Sequence, residues 1–336
     1  RVMHTSGLHG KSFIPMLMGF GCNVPAIMAT RALESDKDRI LTILMTPFMS
    51  CSARLPVYIV LAGSFFAHRA GTVIFLLYAT GILIAIVSGR VLRGLLFKGE
   101  DAPFIMELPP YRMPMMKSLV IHMWDRSKMF LKKMTGVILV GSVIIWVLSS
   151  FPSNVEYQKD YDGLRSEITM EYAAKISGAD ADVLAALEKE RDLMLGQLKR
   201  EKEQERVEQS YIGRLGRFLE PVFTPIGIGW QSSVALITGF VAKEVVVSTM
   251  GVLYGVGSEE GQVLEKALKS SGMTALSALS MMVFVLLYVP CFATVMVIYK
   301  ETSVKWAAFN VVYTTLVAWG MAFIVYRAGV FFAAVR

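Results

Sequence analysis

The chain has 336 residues, 54% hydrophobic and 18% charged, with a formal net charge of +7 and a mean hydropathy of +0.52. A soluble globular chain carries about 25% charged residues, so this one is depleted; its apolar content excludes intrinsic disorder, and three Cys are too few for a disulfide scaffold. The basic residues flank long apolar runs, which is a membrane pattern before it is a nucleic-acid one.

The chain begins at Arg1, and the short run Phe13–Met18, broken by Pro15, is no signal peptide; the expectation is a piece of a longer protein. The first apolar region comprises Ser12–Thr30 and Ile40–Ala67. Pro15, Gly19, Gly21, Pro25, Pro47, Arg54 and Pro56 interrupt it. A proline in a helix interior costs about 3 kcal/mol in water. In a bilayer the freed backbone groups must be met by protein or by a wet cavity, so broken apolar helices predict a pathway inside the membrane. Gly71–Gly89 follows, 19 residues without a charge. The stretch Arg90–Lys133 holds nine basic and four acidic residues, which predicts a cytoplasmic loop. Met134–Phe151 is again uncharged over 18 residues.

Residues 153–214 differ from the rest: they carry 14 acidic and 10 basic residues, whereas the remainder carries 13 and 24. Within them, Leu184, Leu187, Met194 and Leu198 are spaced as one narrow face of an amphipathic helix over Val183–Val207, entered by a turn at 177–180. The reading is a solvated helical hairpin outside the cytoplasm, with no chemistry of its own. A second broken region runs Pro221–Ala242, then Lys243 and Glu244, then Val245–Ser258. Met273–Tyr299 and Trp306–Tyr326 are uncharged over 27 and 21 residues. With about 20 apolar residues needed to span a bilayer, the four uncharged runs are predicted membrane helices. The fold class is therefore all-α and polytopic, with a soluble helical insert.

The two broken regions share a layout. Gly19-Phe20-Gly21-Cys22 precedes Pro47–Cys51; Gly239-Phe240 precedes Pro290-Cys291, with a polar loop near 257–272 lengthening the interval. Paired interrupted segments in two halves point to a transporter site. All three Cys lie in these regions. Pro25 and Pro56 cannot bond back to the carbonyls of Gly21 and Ser52, so Cys22 and Cys51 are each expected beside a spare carbonyl oxygen. Cys51 and Arg54 stand i, i+3, and a guanidinium favours a thiolate. Sulfur selects soft or borderline ions such as Fe²⁺, Zn²⁺ or Cu⁺, although a buried free Cys also serves as a small hydrophobe. Lys243 and Glu244 interrupt an uncharged stretch, and such residues face a cavity or a partner unless the stretch ends at an interface. The 21 Met are scattered as packing, the four His form no i, i+4 pair, and Gly10-Lys11-Ser12 lacks the rest of a phosphate loop. No nucleotide site is visible in the sequence.

Several stretches carry a resemblance: Gly7–Pro15 running into GFGCNVPAIMATRALES, PFMSCSARLPVY (47–58), ELPPYRMP (107–114), ITGFVAKEVVVSTMGVLYG (237–255) and VPCFAT (289–294). Together they resemble the membrane region of the ferrous iron transport protein B family; the resemblance does not visibly extend to 153–210. It implies a multi-pass importer of Fe²⁺ in the bacterial inner membrane, with Fe²⁺ as substrate and two gate-type pseudo-repeats at 12–67 and 228–299. It also implies a cytosolic GTPase domain, which this chain does not contain, and small cytosolic accessory proteins; a homo-oligomer is compatible with it. The family's suspected iron path maps to Cys22, Cys51 and Cys291, and its AKE motif to Lys243 and Glu244. The division expected is 1–70 first gate region, 71–152 membrane helices with the basic loop, 153–214 insert, 215–300 second gate region, and 301–336 C-terminal helix. Fe²⁺ would shed water to Cys22, Cys51, the carbonyls of Gly21 and Ser52 and Glu244, with Cys291 further along and Asn23 and Ser50 helping. Competing readings are a gate-type transporter of an organic solute such as a nucleoside, a thiol-redox membrane enzyme, and a scaffold whose acidic hairpin binds a partner.

Overall fold

The computed structural model describes residues 10–96, 115–152, 157–176, 181–253, 268 and 273–334. Fourteen α-helices and no strand occur among the described residues. The first repeat is α1 (Phe13–Gly19), α2 (Asn23–Ala29), α3 (Asp36–Met45) and α4 (Leu55–Phe66). Two long helices follow, α5 (Ala70–Leu96) and α6 (Met116–Ser150). The insert is α7 (Tyr161–Ile176) and α8 (Ala181–Gln209), and α9 (Tyr211–Phe223) returns the chain to the core. The second repeat is α10 (Trp230–Val241), α11 (Val245–Leu253), α12 (Ala275–Leu287) and α13 (Phe292–Glu301), and α14 (Val304–Ala334) closes the bundle.

Pro25 and Pro56 start helices and do not kink them, whereas Pro221 lies inside α9. Pro25 is the third residue of α2 and Pro56 the second of α4, positions whose N–H has no intrahelical partner in any case. Pro290 precedes Cys291, the residue that opens α13. The uncharged run Met273–Tyr299, expected as one span, is therefore two helices separated at Tyr288–Cys291. The runs Gly71–Gly89 and Trp306–Tyr326 lie inside α5 and α14, and Met134–Phe151 ends the 35-residue α6. Residues 97–114 of the expected basic loop lie outside the described residues, and its later part, from Met116, is already helical.

The centre of the molecule is α12, whose residues from Ser280 to Leu287 are all buried. It packs on α14, α4 and α5. Two glycines allow the close approaches. A Cβ on Gly81 of α5 would stand 2.8 Å from the Phe48 carbonyl, and one on Gly239 of α10 would stand 2.3 Å from Val246 Cγ2 and 2.8 Å from the Tyr288 hydroxyl. Inside a bilayer, where the solvent is itself apolar, such close packing replaces the hydrophobic effect as the force between helices. Large apolar side chains cover the outside, among them Phe75 (71% exposed) and Leu316 (66%). Three stretches among the described residues are long and apolar enough to cross a membrane: part of 36–96, Ala275–Glu301 and Val304–Phe332. The chain is a helical membrane protein with two repeats of broken helices.

The insert is the hairpin expected from its charge pattern. Lys202 reaches Asp162 (3.0 Å), Lys159 reaches Glu201 (2.8 Å), and the Tyr161 hydroxyl donates to Glu205 (2.8 Å). Burial and the Glu205 carboxylate push the Tyr161 hydroxyl up to about 12. The narrow apolar face of α8 is only partly covered: Met194, expected to pack, stays 44% exposed, because two helices alone leave one side of each unpaired. The turn expected at 177–180 and the polar loop near 257–272 lie outside the described residues, apart from buried Leu268.

Candidate metal pathway

Each repeat contains two breaks, and the four meet within the bundle. In the first repeat they are Phe20–Cys22, between α1 and α2, and Met49–Cys51, between a 3-10 turn at Thr46–Phe48 and another at Ser52–Arg54. In the second they are Ala242–Glu244, between α10 and α11, and Tyr288–Cys291, between α12 and α13. Cys22, Cys51 and Cys291 are each the non-helical residue that opens the next helical segment. All three are free thiols and half-buried. Cys22 lies within electrostatic reach of Cys51, Cys291 and Glu244. Packing brings the repeats together here: Val24 and Ile27 of α2 share one apolar cluster with Val297 and Ile298 of α13.

The backbone carbonyls are spoken for. Gly21 O accepts from both the Ser52 N–H (3.2 Å) and the Ser52 hydroxyl (2.9 Å), which ties the first repeat's two breaks together. Ser52 O accepts from the Leu55 N–H that closes the 3-10 turn. The oxygens expected to be spare beside Pro25 and Pro56 thus already have donors. The Gly21 and Ser52 positions themselves remain exposed.

Arg54 directs its hydrogen bonds to backbone carbonyls. Cys51 is extended and only opens the following 3-10 turn, so the helical i, i+3 argument does not apply to it. The fully buried guanidinium donates through Nη1 to Pro47 O (3.0 Å) and Met49 O (3.4 Å), and through Nη2 to Tyr288 O (3.4 Å) of the other repeat. Lys243 is 2% exposed; its Nζ donates to Val289 O (2.9 Å) and sits 3.1 Å from the Tyr288 ring centroid. Its neighbour Glu244 is exposed, so the pair diverges as expected for adjacent residues. Asn23, 3% exposed, has its amide oriented so that its nitrogen donates to Gly19 O (3.2 Å) and Thr46 O (3.3 Å). Ser50 donates to the Tyr58 hydroxyl (3.3 Å). Both helpers therefore bond within the protein.

Three residues at the breaks escaped the sequence reading. Tyr288 carries the Lys243 contact, and its hydroxyl donates to Leu236 O (3.5 Å). Tyr58 is fully buried behind Ser50. Thr294 places its hydroxyl 3.2 Å from Cys291 Sγ. The signal for Thr294 was Cys-x-x-Thr at a helix start; the tyrosines look like ordinary aromatics in apolar runs. Among the described residues no group of three or more His, Cys, Asp or Glu gathers as a metal cage. The thiols stand on three of the four breaks, and sulfur suits soft or borderline cations.

The family model Gate, described as nucleoside recognition, matches residues 1–65 and 131–305, and the model for the ferrous iron transport protein B C terminus matches 74–126. A fusion protein of Porphyromonas gingivalis, named Fe(2+) transport protein A/Fe(2+) transporter FeoB, is 46% identical over 99% of this chain and 39% of its own length. The Fe(2+) transporter FeoB of Helicobacter pylori is 38% identical over 97% of the chain and 50% of its own length. That of Staphylococcus aureus is 39% identical over 98% and 42%. The chain thus spans half or less of the length of these relatives. At such coverage of this chain, the similarity includes the insert, where the motifs alone showed none. No solved structure matches significantly. By these matches and by its two repeats of broken helices, the chain belongs to the Gate family and corresponds to the membrane region of ferrous iron transport protein B.

Proposed function

We propose that this chain forms the membrane pathway through which Fe²⁺ enters the bacterial cytoplasm. The observation that carries the reading is the placement of three half-buried free thiols on three of the four breaks. Cys22 and Cys51, with Glu244 at the exposed side, receive the ion as it sheds water, and Cys291 with Thr294 forms a second position. The names of the relatives supply the metal. The boundaries 1–70, 71–152, 153–214, 215–300 and 301–336 serve as its working division. The basic stretch 90–133 faces the cytoplasm and the 153–214 insert faces outward, in a multi-pass inner-membrane protein. In the complete protein a cytosolic GTPase domain drives or gates the path. A small accessory protein assists, as the fusion in Porphyromonas gingivalis suggests. The chain itself performs transport and no enzymatic step.

An organic-solute path draws on the Gate description, but it calls for free amide groups, and the Asn23 amide is held by Gly19 and Thr46. The test is Fe²⁺ uptake by the complete transporter carrying Cys22→Ser or Cys51→Ser. Each is expected to lose uptake by about tenfold or more, since even the outer-shell partners of metal ligands are worth about 10–100-fold. Wild-type rates in both would remove the thiols from the path.

A further inference from the structure

We infer that Arg54 and Lys243 are positioning residues: a two-cation clasp that holds the break before Cys51 and the break before Cys291 in a fixed relation, and so sets the shape of the thiol-lined path. This rests on reading the thiols as that path. One guanidinium spans two repeats, gripping Pro47 O and Met49 O on one side and Tyr288 O on the other. One ammonium, from the remaining break of the second repeat, grips the next carbonyl, Val289 O, and lies against the Tyr288 ring. The two cations therefore take consecutive carbonyls of the segment that ends at Cys291. The gripped carbonyls sit where the helical ladder stops and no N–H is supplied in register.

The hydrogen-bond partners of both side chains among the described residues are backbone carbonyls, with no carboxylate in ion-pair distance, and Arg54 Nε has no hydrogen-bond partner. Burying an unpaired charge is costly, and an apolar side chain of equal size would fill the same space more cheaply. Packing alone does not account for two such residues. Arg54 is suited to its place because a planar fork reaches several acceptors at once, whereas Lys243 acts as a point charge on one carbonyl and one ring face.

The test uses the complete transporter in native membranes, with Arg54→Met, Arg54→Lys, Lys243→Met and Lys243→Arg. Two quantities are read: Fe²⁺ uptake, and the ratio of iodoacetamide alkylation rates at Cys51 and Cys291, measured without iron by mass spectrometry. Arg54→Met is expected to lower uptake about tenfold, since small displacements of reacting groups have effects of that order or larger. It is also expected to shift the alkylation ratio by about threefold through altered access. Lys243→Met shifts both in the same direction by less, and Lys243→Arg restores most of the uptake. Arg54→Lys keeps the charge but cannot span both breaks, so it shifts the ratio while leaving protein levels normal. If the Met variants do not accumulate, Arg54→Lys decides. A wild-type ratio in Arg54→Lys, or lost uptake with an unchanged ratio in any folded variant, overturns the clasp. Because the ratio is measured without iron, the failure of the iron path would appear separately, as wild-type uptake in the Cys variants.

Discussion

The two repeats follow the same course and close it with different chemistry. In the first, a neutral hydroxyl joins the two breaks: Ser52, beside Cys51, holds Gly21 O, beside Cys22. In the second, an ammonium does so: Lys243 holds Val289 O. The first repeat presents two thiols at its breaks, the second one thiol and the Glu244 carboxylate. The glycines show the same parallel. Gly19 makes room for Met49 and Gly239 for Tyr288, each the approach of a repeat's first helix to that repeat's second break. A hydroxyl is cheap to bury when bonded, and an ammonium is not. The shared backbone is thus a scaffold that carries unlike side chains at its breaks; on the proposed function the first repeat supplies most of the ligands.

Four stability measurements would sharpen or break that comparison. The largest effect is expected where the repeats are joined. Glu301 of the second accepts from Arg31 and Arg39 of the first, at 2.8 Å from Arg39, with its side chain 5% exposed. Glu301→Gln should cost about 2–3 kcal/mol, the scale of charged hydrogen bonds, read as a lowered unfolding midpoint in detergent; an unchanged midpoint would show that the repeats are held by apolar contacts alone. Next, Gly239→Ala meets Val246 Cγ2 at 2.3 Å whereas Gly19→Ala meets Met49 Cβ at 3.1 Å. The former should cost about 1–3 kcal/mol and the latter distinctly less. Equal effects would show that the two glycine approaches are equally tight. Ser52→Ala removes the hydroxyl bond to Gly21 O and leaves the backbone N–H bond in place; it should cost about 1 kcal/mol while speeding alkylation of Cys22. The smallest effect belongs to the insert: Lys202→Ala breaks the exposed pair with Asp162, is worth under about 1 kcal/mol, and should leave Fe²⁺ uptake unchanged.

Much of this was readable from local chemistry. The clustered prolines at 25, 47 and 56 marked the breaks of the first region, because a residue without an N–H is disfavoured inside a helix and accepted in its first turn. The charge reversal over 153–214 marked the hairpin, since like patterns of charge at helical spacing can only face water. Less readable was the division of Met273–Tyr299. Its composition is that of a single span, and only Pro290 hinted otherwise.

Composition and spacing by themselves determined that the chain is a helical membrane protein, that its helices break in two similar places, and that three thiols and a Lys-Glu pair sit at those breaks. These are properties of neighbours in the chain, set by helix geometry, proline's missing donor and the cost of charge in hydrocarbon. The tertiary structure alone decided which donor takes which carbonyl. Gly21 O went to a serine 31 residues away, and Arg54 reached Tyr288 O across 234 residues. In a bilayer every buried backbone oxygen seeks a donor, and which donor arrives depends on how distant helices pack, a relation that no local spacing records.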